Sequence, residues 1–161
     1  MAQYLAQSLD DLPDFKTMLS MSGLDFMQKM LVGDLPRPPI SGVLDYWLET
    51  VEEGRVVFRG TPAFAHTNPL RTVHGGWYGT LMDSCMSCAV MTTLPKGSYY
   101  TTLEYKVNIT RTIPLGMSVL AEGVVHHAGR STGVANGTIK GADDGKLYAT
   151  GSATCLIMKR P

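Results

Sequence analysis

The sequence predicts an α+β fold, one antiparallel sheet of about six strands laid against one long apolar helix. Three observations carry this. Residues 75–93 are apolar on almost every side and hold one charge, Asp83, and a helix apolar all round is buried on most sides. Six stretches rich in Val, Thr, Tyr and Ile lie at 43–51, 55–60, 99–112, 118–127, 131–140 and 146–158. The breaks between them, such as Glu53-Gly54, Gly129-Arg130 and Asp143-Asp144-Gly145, are tight-turn sequences, and strands joined by tight turns pair antiparallel. One helix over one face of such a sheet is an α+β layer arrangement.

Taken in order, residues 1–20 carry mixed signals, with Pro13 interrupting the first helical tendency. Ser22 is a natural N-cap with Asp25 in the first turn, and Leu24, Met27, Met30 and Leu31 then fall on one helical face. Gly33 ends that helix. Residues 35–39, Leu-Pro-Arg-Pro-Pro, read as extended. Residues 1–40 therefore form an N-terminal helical extension, and 41–161 form the domain proper.

Residues 43–51 and 55–60 read as a hairpin, and 61–73 as a polar loop. The helix at 75–93 stops at Leu94-Pro95. The last four strands are expected side by side in chain order. A single sheet of this kind leaves an edge or face open, which favours a dimer or a larger closed assembly.

A chain of 161 residues, 44% apolar and 17% charged, suits one folded core. Basic and acidic residues balance at 14 each, so no field favours nucleic acid or acidic membranes, and self-association meets little repulsion. No apolar run reaches the roughly 18 residues of a membrane span. The first residues lack a basic n-region and apolar core, so a cytoplasmic location is expected. Cys85, Cys88 and Cys155 do not form a disulfide framework. The Cys-x-x-Cys spacing lies inside the apolar helix, where packing is expected and no metal. His126-His127 reads as a solvent-facing pair at a strand end, and His66 as a weaker candidate for substrate contact.

Asp83 is the first chemical signal. A buried carboxylate must be hydrogen-bonded, paired or protonated. It is either a structural acid, bonded to a backbone amide or to Ser87 one turn on, or a functional one. Gly75-Gly76 opens the helix without side chains, so its free N–H groups and dipole could receive a carbonyl oxygen or oxyanion. Asp83 follows Gly75 by eight residues, about 12 Å along the axis at roughly 1.5 Å per residue. One carboxylate cannot act on a carbonyl held at the mouth of its own helix. If both groups serve one reaction, the carboxylate comes from a second, antiparallel copy of the helix.

These residues resemble the hotdog-fold acyl-CoA thioesterases of the phenylacetate-pathway (PaaI-like) type, from about Gly42 to the C-terminus. The resemblance rests on Asn68, then His74-Gly75-Gly76, then Asp83 and Ser87, with Val107-Asn108-Ile109-Thr110 through Pro114 as a later strand end. It implies a long helix wrapped by an antiparallel sheet, paired into a dimer with one continuous sheet and often a tetramer. It implies that the Gly75 amide, with Gly76 beside it, binds a thioester carbonyl that His74 or Asn68 orients. The partner's carboxylate at position 83 would be nucleophile or general base, with Ser87 placing the water or the carboxylate. Gly129-Arg130-Ser131 would lie beside the pantetheine arm and phosphates of coenzyme A, which is substrate, with no cofactor. A hydroxyl residue that some relatives carry on the strand after the helix aligns with Glu104; Thr101 and Thr102 stand near. The acyl pocket is expected at Trp77, Tyr78 and Met residues. A hotdog hydratase or dehydratase, or a non-catalytic acyl-CoA-binding protein, are the alternatives. No His follows Asp83 at the spacing a lyase pair would use, and neither composition nor length offers the DNA-binding or partner domain that the binding-protein reading would need.

Overall fold

The computed structural model describes residues 3–159. Its sheet has six antiparallel strands, β1 (Tyr46–Glu52), β2 (Arg55–Gly60), β3 (Ser98–Ile109), β4 (Val119–Ala128), β5 (Thr132–Gly141) and β6 (Leu147–Lys159). Their order across the sheet is β1-β2-β4-β5-β6-β3. The last four strands are thus not neighbours in chain order: β3 pairs with β6, and β4 with β2. Residues 110–118 are a crossing rather than the turn expected at Pro114-Gly116. Their backbone is tied down on the way, with the Ile113 N–H on the Tyr78 hydroxyl at 2.9 Å and the Gly116 N–H on the Pro62 carbonyl at 2.8 Å.

The long helix, α4 (Gly75–Thr92), runs across the sheet. Leu81, Met82, Cys85, Met86, Ala89 and Val90 are almost wholly buried against Val56, Val119, Ala121, Ala135, Ile139 and Ala149. Glycines on the sheet let the helix come close. A Cβ on Gly123 would overlap the Cys85 carbonyl, and one on Gly137 would stand 2.9 Å from Met86 Cγ. Position along α4, and with it the height of Asp83 over the sheet, is therefore set by backbone contact.

The first forty residues hold more helix than their sequence suggested. Beyond α2 (Gly23–Val32), capped by Ser22 and closed by Gly33 at φ 82° as expected, there are two five-residue helices. These are α1 (Phe15–Leu19), capped by Asp14, and α3 (Pro39–Val43), which has proline in its first turn. The extended reading of 35–39 therefore stops one residue early, because the fixed φ of proline suits the first turn of a helix. The segment folds onto the β1 side of the domain: the Gly23 N–H reaches the Leu94 carbonyl at 2.9 Å, beyond the end of α4.

Strand β3 lies at the sheet edge, bonded to β6 alone among the described residues. It is twelve residues long, and Leu103, Tyr105 and Ile109 are 57%, 47% and 49% exposed. A long apolar edge of this kind is unstable in isolation toward pairing with another chain.

Candidate active site

Three α4 residues face the open edge strand. A Cβ on Gly75 would stand 3.8 Å from Ile109 Cδ1, and one on Gly79 would stand 3.1 Å from the Tyr105 hydroxyl. Asp83 Oδ1 accepts from the Thr102 hydroxyl at 3.0 Å. Residues 75, 79 and 83 form one stripe at the four-residue helical spacing. The helix mouth and the carboxylate thus look in the same direction, toward the edge, at different heights.

Thr102, not Glu104, holds the carboxylate, and a bulge is the reason. On β6 the residues facing α4 are Cys155, Ala153, Gly151 and Ala149. Their partners on β3 are Thr102, Tyr105, Val107 and Ile109. Between the first two pairs β6 advances by two residues and β3 by three. The extra residue reverses which side chains point inward. Glu104 is turned to the outer face, where it accepts from Thr154 Oγ1 at 2.8 Å. Thr101 is exposed beside it.

Burial raises the Asp83 pKa above the usual carboxyl range, and the Thr102 hydrogen bond pulls it partly back. Ser87 is drawn elsewhere, accepting from the Tyr100 hydroxyl at 3.2 Å. Among the described residues it makes no bond to Asp83. Ser84, next to Asp83, is joined to the Tyr46 hydroxyl at 3.0 Å. Neither Tyr100 nor Tyr46 stood out in the sequence, since each reads simply as an inward strand tyrosine.

His74 is the N-cap of α4, and its Nδ1 accepts the Gly76 N–H at 2.9 Å. The Gly76 amide is thereby occupied, whereas the Gly75 N–H has no partner among the described residues. Asn68 organises its own loop: its Oδ1 accepts from the Leu70 and Thr72 amides, and its Nδ2 donates to Thr72 Oγ1 at 2.9 Å. Arg71, at φ 61°, completes that turn. His66 is structural. It receives the Ala63 N–H on Nδ1, so the ring's proton lies on Nε2 and is donated to the Val43 carbonyl at 2.9 Å. Its own carbonyl holds the His74 N–H at 2.8 Å. This chain of contacts fixes the loop before the helix to the first turn.

Gly129, Arg130 and Ser131 form the β4–β5 turn, closed by the Gly129 N–H on the Thr132 carbonyl at 2.8 Å. Register puts Thr132 opposite Leu156, which lies opposite Thr101. The turn is two strand spacings, about 10 Å, from the β3 row next to Thr102. Arg130 is exposed there.

A cavity of about 310 Å³ opens beside the carboxylate, between the N-terminal segment, β1, β2 and α4. Met27, Met30, Phe58 and Met91 line it, with Ser84, Cys88 and Tyr100 on the side toward Asp83. The charge of Asp83 acts on Tyr46, Cys88 and Tyr100, three groups of that wall. Trp77 and Tyr78, expected in an acyl pocket, are core residues instead. Trp77 Nε1 donates to the Leu44 carbonyl at 2.9 Å, and Tyr78 is tied to Ile113.

The three cysteines sit where burial disfavours their thiolates. Burial pushes the Cys88 thiol up to about 12 and that of Cys155 to about 11, which keeps both protonated. No group of three or more potential metal ligands occurs among the described residues. No described helix is long and apolar enough to cross a membrane.

Known proteins bear on this geometry. The family described as the thioesterase superfamily matches residues 70–148, from the loop before α4 into β6. The structure is similar to a putative thioesterase, a phenylacetic acid degradation-related protein of Ralstonia eutropha JMP134. The two share 28% identity over 81% of this chain and 98% of that one, with a TM-score of 0.73. The PaaI protein of the E. coli phenylacetic acid degradation operon has the same fold at 19% identity, over 86% of this chain and 96% of the other, TM-score 0.73. So does smu.793 of Streptococcus mutans, solved bound to acetyl CoA, at 23% identity over 72% and 90% of the chains, TM-score 0.66. No curated protein matches by sequence.

Proposed function

As a member of the thioesterase superfamily with the hotdog fold of the phenylacetate-pathway (PaaI-like) type, the chain is a thioester hydrolase, and we propose that it cleaves acyl-CoA in a site shared by two subunits. The stripe of Gly75, Gly79 and Asp83 toward the open β3 edge carries this reading. Two copies pairing β3 to β3 about a two-fold axis bring their helices side by side and antiparallel. The Gly75 end of one then faces the Asp83 level of the other. The offset of about 12 Å within a helix, which separates the two groups in one chain, brings them together across the pair.

In that site the free Gly75 amide and the helix dipole polarise the thioester carbonyl. His74 holds the first turn in place, and the Asn68 loop positions His74 through His66. Asp83 acts as general base: its raised pKa makes it a better proton acceptor than an ordinary carboxylate. It takes a proton from water as the oxygen bonds to the thioester carbon. The oxyanion that forms collapses, the C–S bond breaks, and coenzyme A leaves as thiolate. Free acid and the reprotonated thiol are the products. The same carboxylate could attack the carbon itself, expelling the coenzyme A thiolate and leaving a mixed anhydride that water opens. Label found in the Asp83 carboxylate after a single turnover in oxygen-18 water requires that anhydride and water attack on its Asp83 carbon, so finding it excludes the base route.

Thr102 orients Asp83. Ser87 supports the wall through Tyr100, and the Gly129-Arg130-Ser131 turn offers its exposed cation to the coenzyme A phosphates. The acyl group enters the cavity beside Ser84 and Tyr100. Acetyl CoA in the Streptococcus mutans neighbour supports this class of ligand.

The test is complementation. Asp83→Ala removes the carboxylate. Gly75→Pro removes one N–H at the first helical position, where proline is tolerated. Each folded variant alone should be inactive on a panel of acyl-CoA esters, and mixed dimers should regain about a quarter to a half of wild-type thiol release. Mixed dimers that stay silent would exclude the shared site.

A further inference from the structure

Arg37 is the one charged side chain on the wall of the cavity beside Asp83, among the described residues. Its Nη1 donates to the Tyr46 carbonyl at 3.0 Å, while its Nε is buried without a hydrogen-bond partner. No described carboxylate stands within ion-pair distance, and Asp45 acts on it only through space. Burial lowers the Arg37 pKa, but a guanidinium keeps its charge. Arg37 as a whole is half-buried, and a cation beside Met27, Met30 and Phe58 with no described carboxylate next to it favours an anionic partner.

The guanidinium is also held in place. Prolines flank Arg37 on both sides, restricting its backbone. Its N–H bonds the Tyr4 carbonyl at 2.7 Å, and its carbonyl takes the Ala6 N–H at 3.0 Å. Tyr46 links this cation to the reacting end. Its main-chain carbonyl accepts from Arg37, and its hydroxyl touches Ser84, the neighbour of Asp83. The charge and Ser84, the neighbour of Asp83, therefore lie about one tyrosine side chain apart along an apolar wall.

We infer that Arg37 receives a carboxylate at the far end of the acyl group, so that the preferred substrates are coenzyme A thioesters of ω-carboxy (dicarboxylic) acids. The methylene chain spans the Met-rich wall, the thioester lies by Ser84 and Asp83, and the distal carboxylate pairs with Arg37 Nη2, the guanidinium nitrogen that is neither bonded to Tyr46 nor shut away among the described residues. A methyl-ended chain of the same length fills the same space but leaves the guanidinium without an anion, a mismatch that a polar pocket discriminates. The inference rests on the acyl-CoA reading of the site.

The experiment compares two chain-matched esters, one ending in methyl and one in carboxylate, on wild type and on Arg37→Met. Methionine keeps the unbranched apolar stem of this half-buried side chain and removes only its charge. Wild type should favour the carboxylate ester in kcat/KM by about ten-fold or more, the worth of one charged hydrogen bond. Arg37→Met should lose that preference, with turnover of the methyl ester kept or raised. No preference in wild type, or an equal loss on both esters, overturns the inference while leaving the thioesterase reading intact. If wild type hydrolyses neither ester, the thioesterase reading fails separately, and calorimetric binding of the same esters decides. Weaker binding of the carboxylate ester alone in Arg37→Met supports Arg37, and equal binding, or none, overturns it. Should Arg37→Met not fold, the ratio of the two esters in Arg37→Lys, which keeps the charge but not the planar fork, stands in for it.

Discussion

Thr102→Val isolates the contact that ties the edge strand to the carboxylate. Valine matches threonine in shape and removes only the hydroxyl that Asp83 Oδ1 accepts at 3.0 Å. A hydrogen bond to a charged group contributes about 1.5–3 kcal/mol net, and the half-exposed site puts this one at the lower end, about 1.5 kcal/mol. For a chain of this size that is roughly 3–6 °C in Tm. Urea unfolding at one fixed protein concentration reads it directly. In an Asp83→Ala background the acceptor is gone, so the same substitution should cost less than about 0.5 kcal/mol.

The hydroxyl also lowers the Asp83 pKa against the opposing effect of burial. Its loss should move the acid limb of kcat/KM to higher pH, because that limb reports the free enzyme's base. Glu104→Ala is the control. Its partner is Thr154 on the outer face, so stability should change by no more than about 0.5 kcal/mol and the pH profile should stay fixed. An equal cost for Thr102→Val in both backgrounds, an unmoved acid limb, or a larger effect at Glu104 would refute the bulge argument.

Three further outcomes follow from the same geometry. Asp83→Asn should abolish turnover. Burial raises the folded-state pKa, so the stability associated with this group is fully present below the ordinary value of 3.8 and is lost as pH rises through the folded pKa. Asp83→Asn should therefore be the more stable protein at neutral pH in urea titrations, with the difference closing as pH falls toward the ordinary carboxyl range. Gly123→Ala forces a Cβ into the Cys85 carbonyl, a backbone group that cannot yield, and should cost about 3 kcal/mol, whereas Gly137→Ala meets methionine side chains, Met86 Cγ nearest, and should cost less, about 1–2 kcal/mol. Thermal unfolding distinguishes them, and equal costs would mean that α4 is not seated on the sheet by backbone contact.

The parts legible in the sequence share a cause. The apolar run at 75–93, the six strands and the Ser22 and Gly33 caps are local patterns, and each is the direct imprint of period, cap or turn chemistry on a few consecutive residues. The strand order escaped because residues 110–118 read as a turn. Their actual path depends on the Tyr78 hydroxyl and the Pro62 carbonyl, both distant in the chain. The proposed pairing of Gly75 with the Asp83 of a second copy was legible because a helix has a known rise. Arg37 and Tyr46 were not, because nothing local tells which strand and loop residues will share one cavity wall.

The shift from Glu104 to Thr102 shows how a single extra residue governs which side chain reaches a half-buried carboxylate. Strand alternation predicts that 102 and 104 point the same way. The bulge at Leu103 breaks that parity and turns Glu104 outward. Without it, a glutamate rather than Tyr105 would point toward α4 two residues beyond Thr102, and a second carboxylate close to Asp83 would raise the Asp83 pKa by like-charge repulsion. With it, Asp83 meets one hydroxyl, and Tyr105 covers Gly79 on the stripe that faces the edge. Deleting Leu103 should restore the alternation, bring Glu104 to the inner face and move the acid limb of kcat/KM to higher pH. A folded deletion variant with an unchanged pH profile would show that the bulge does not select which side chain reaches the carboxylate.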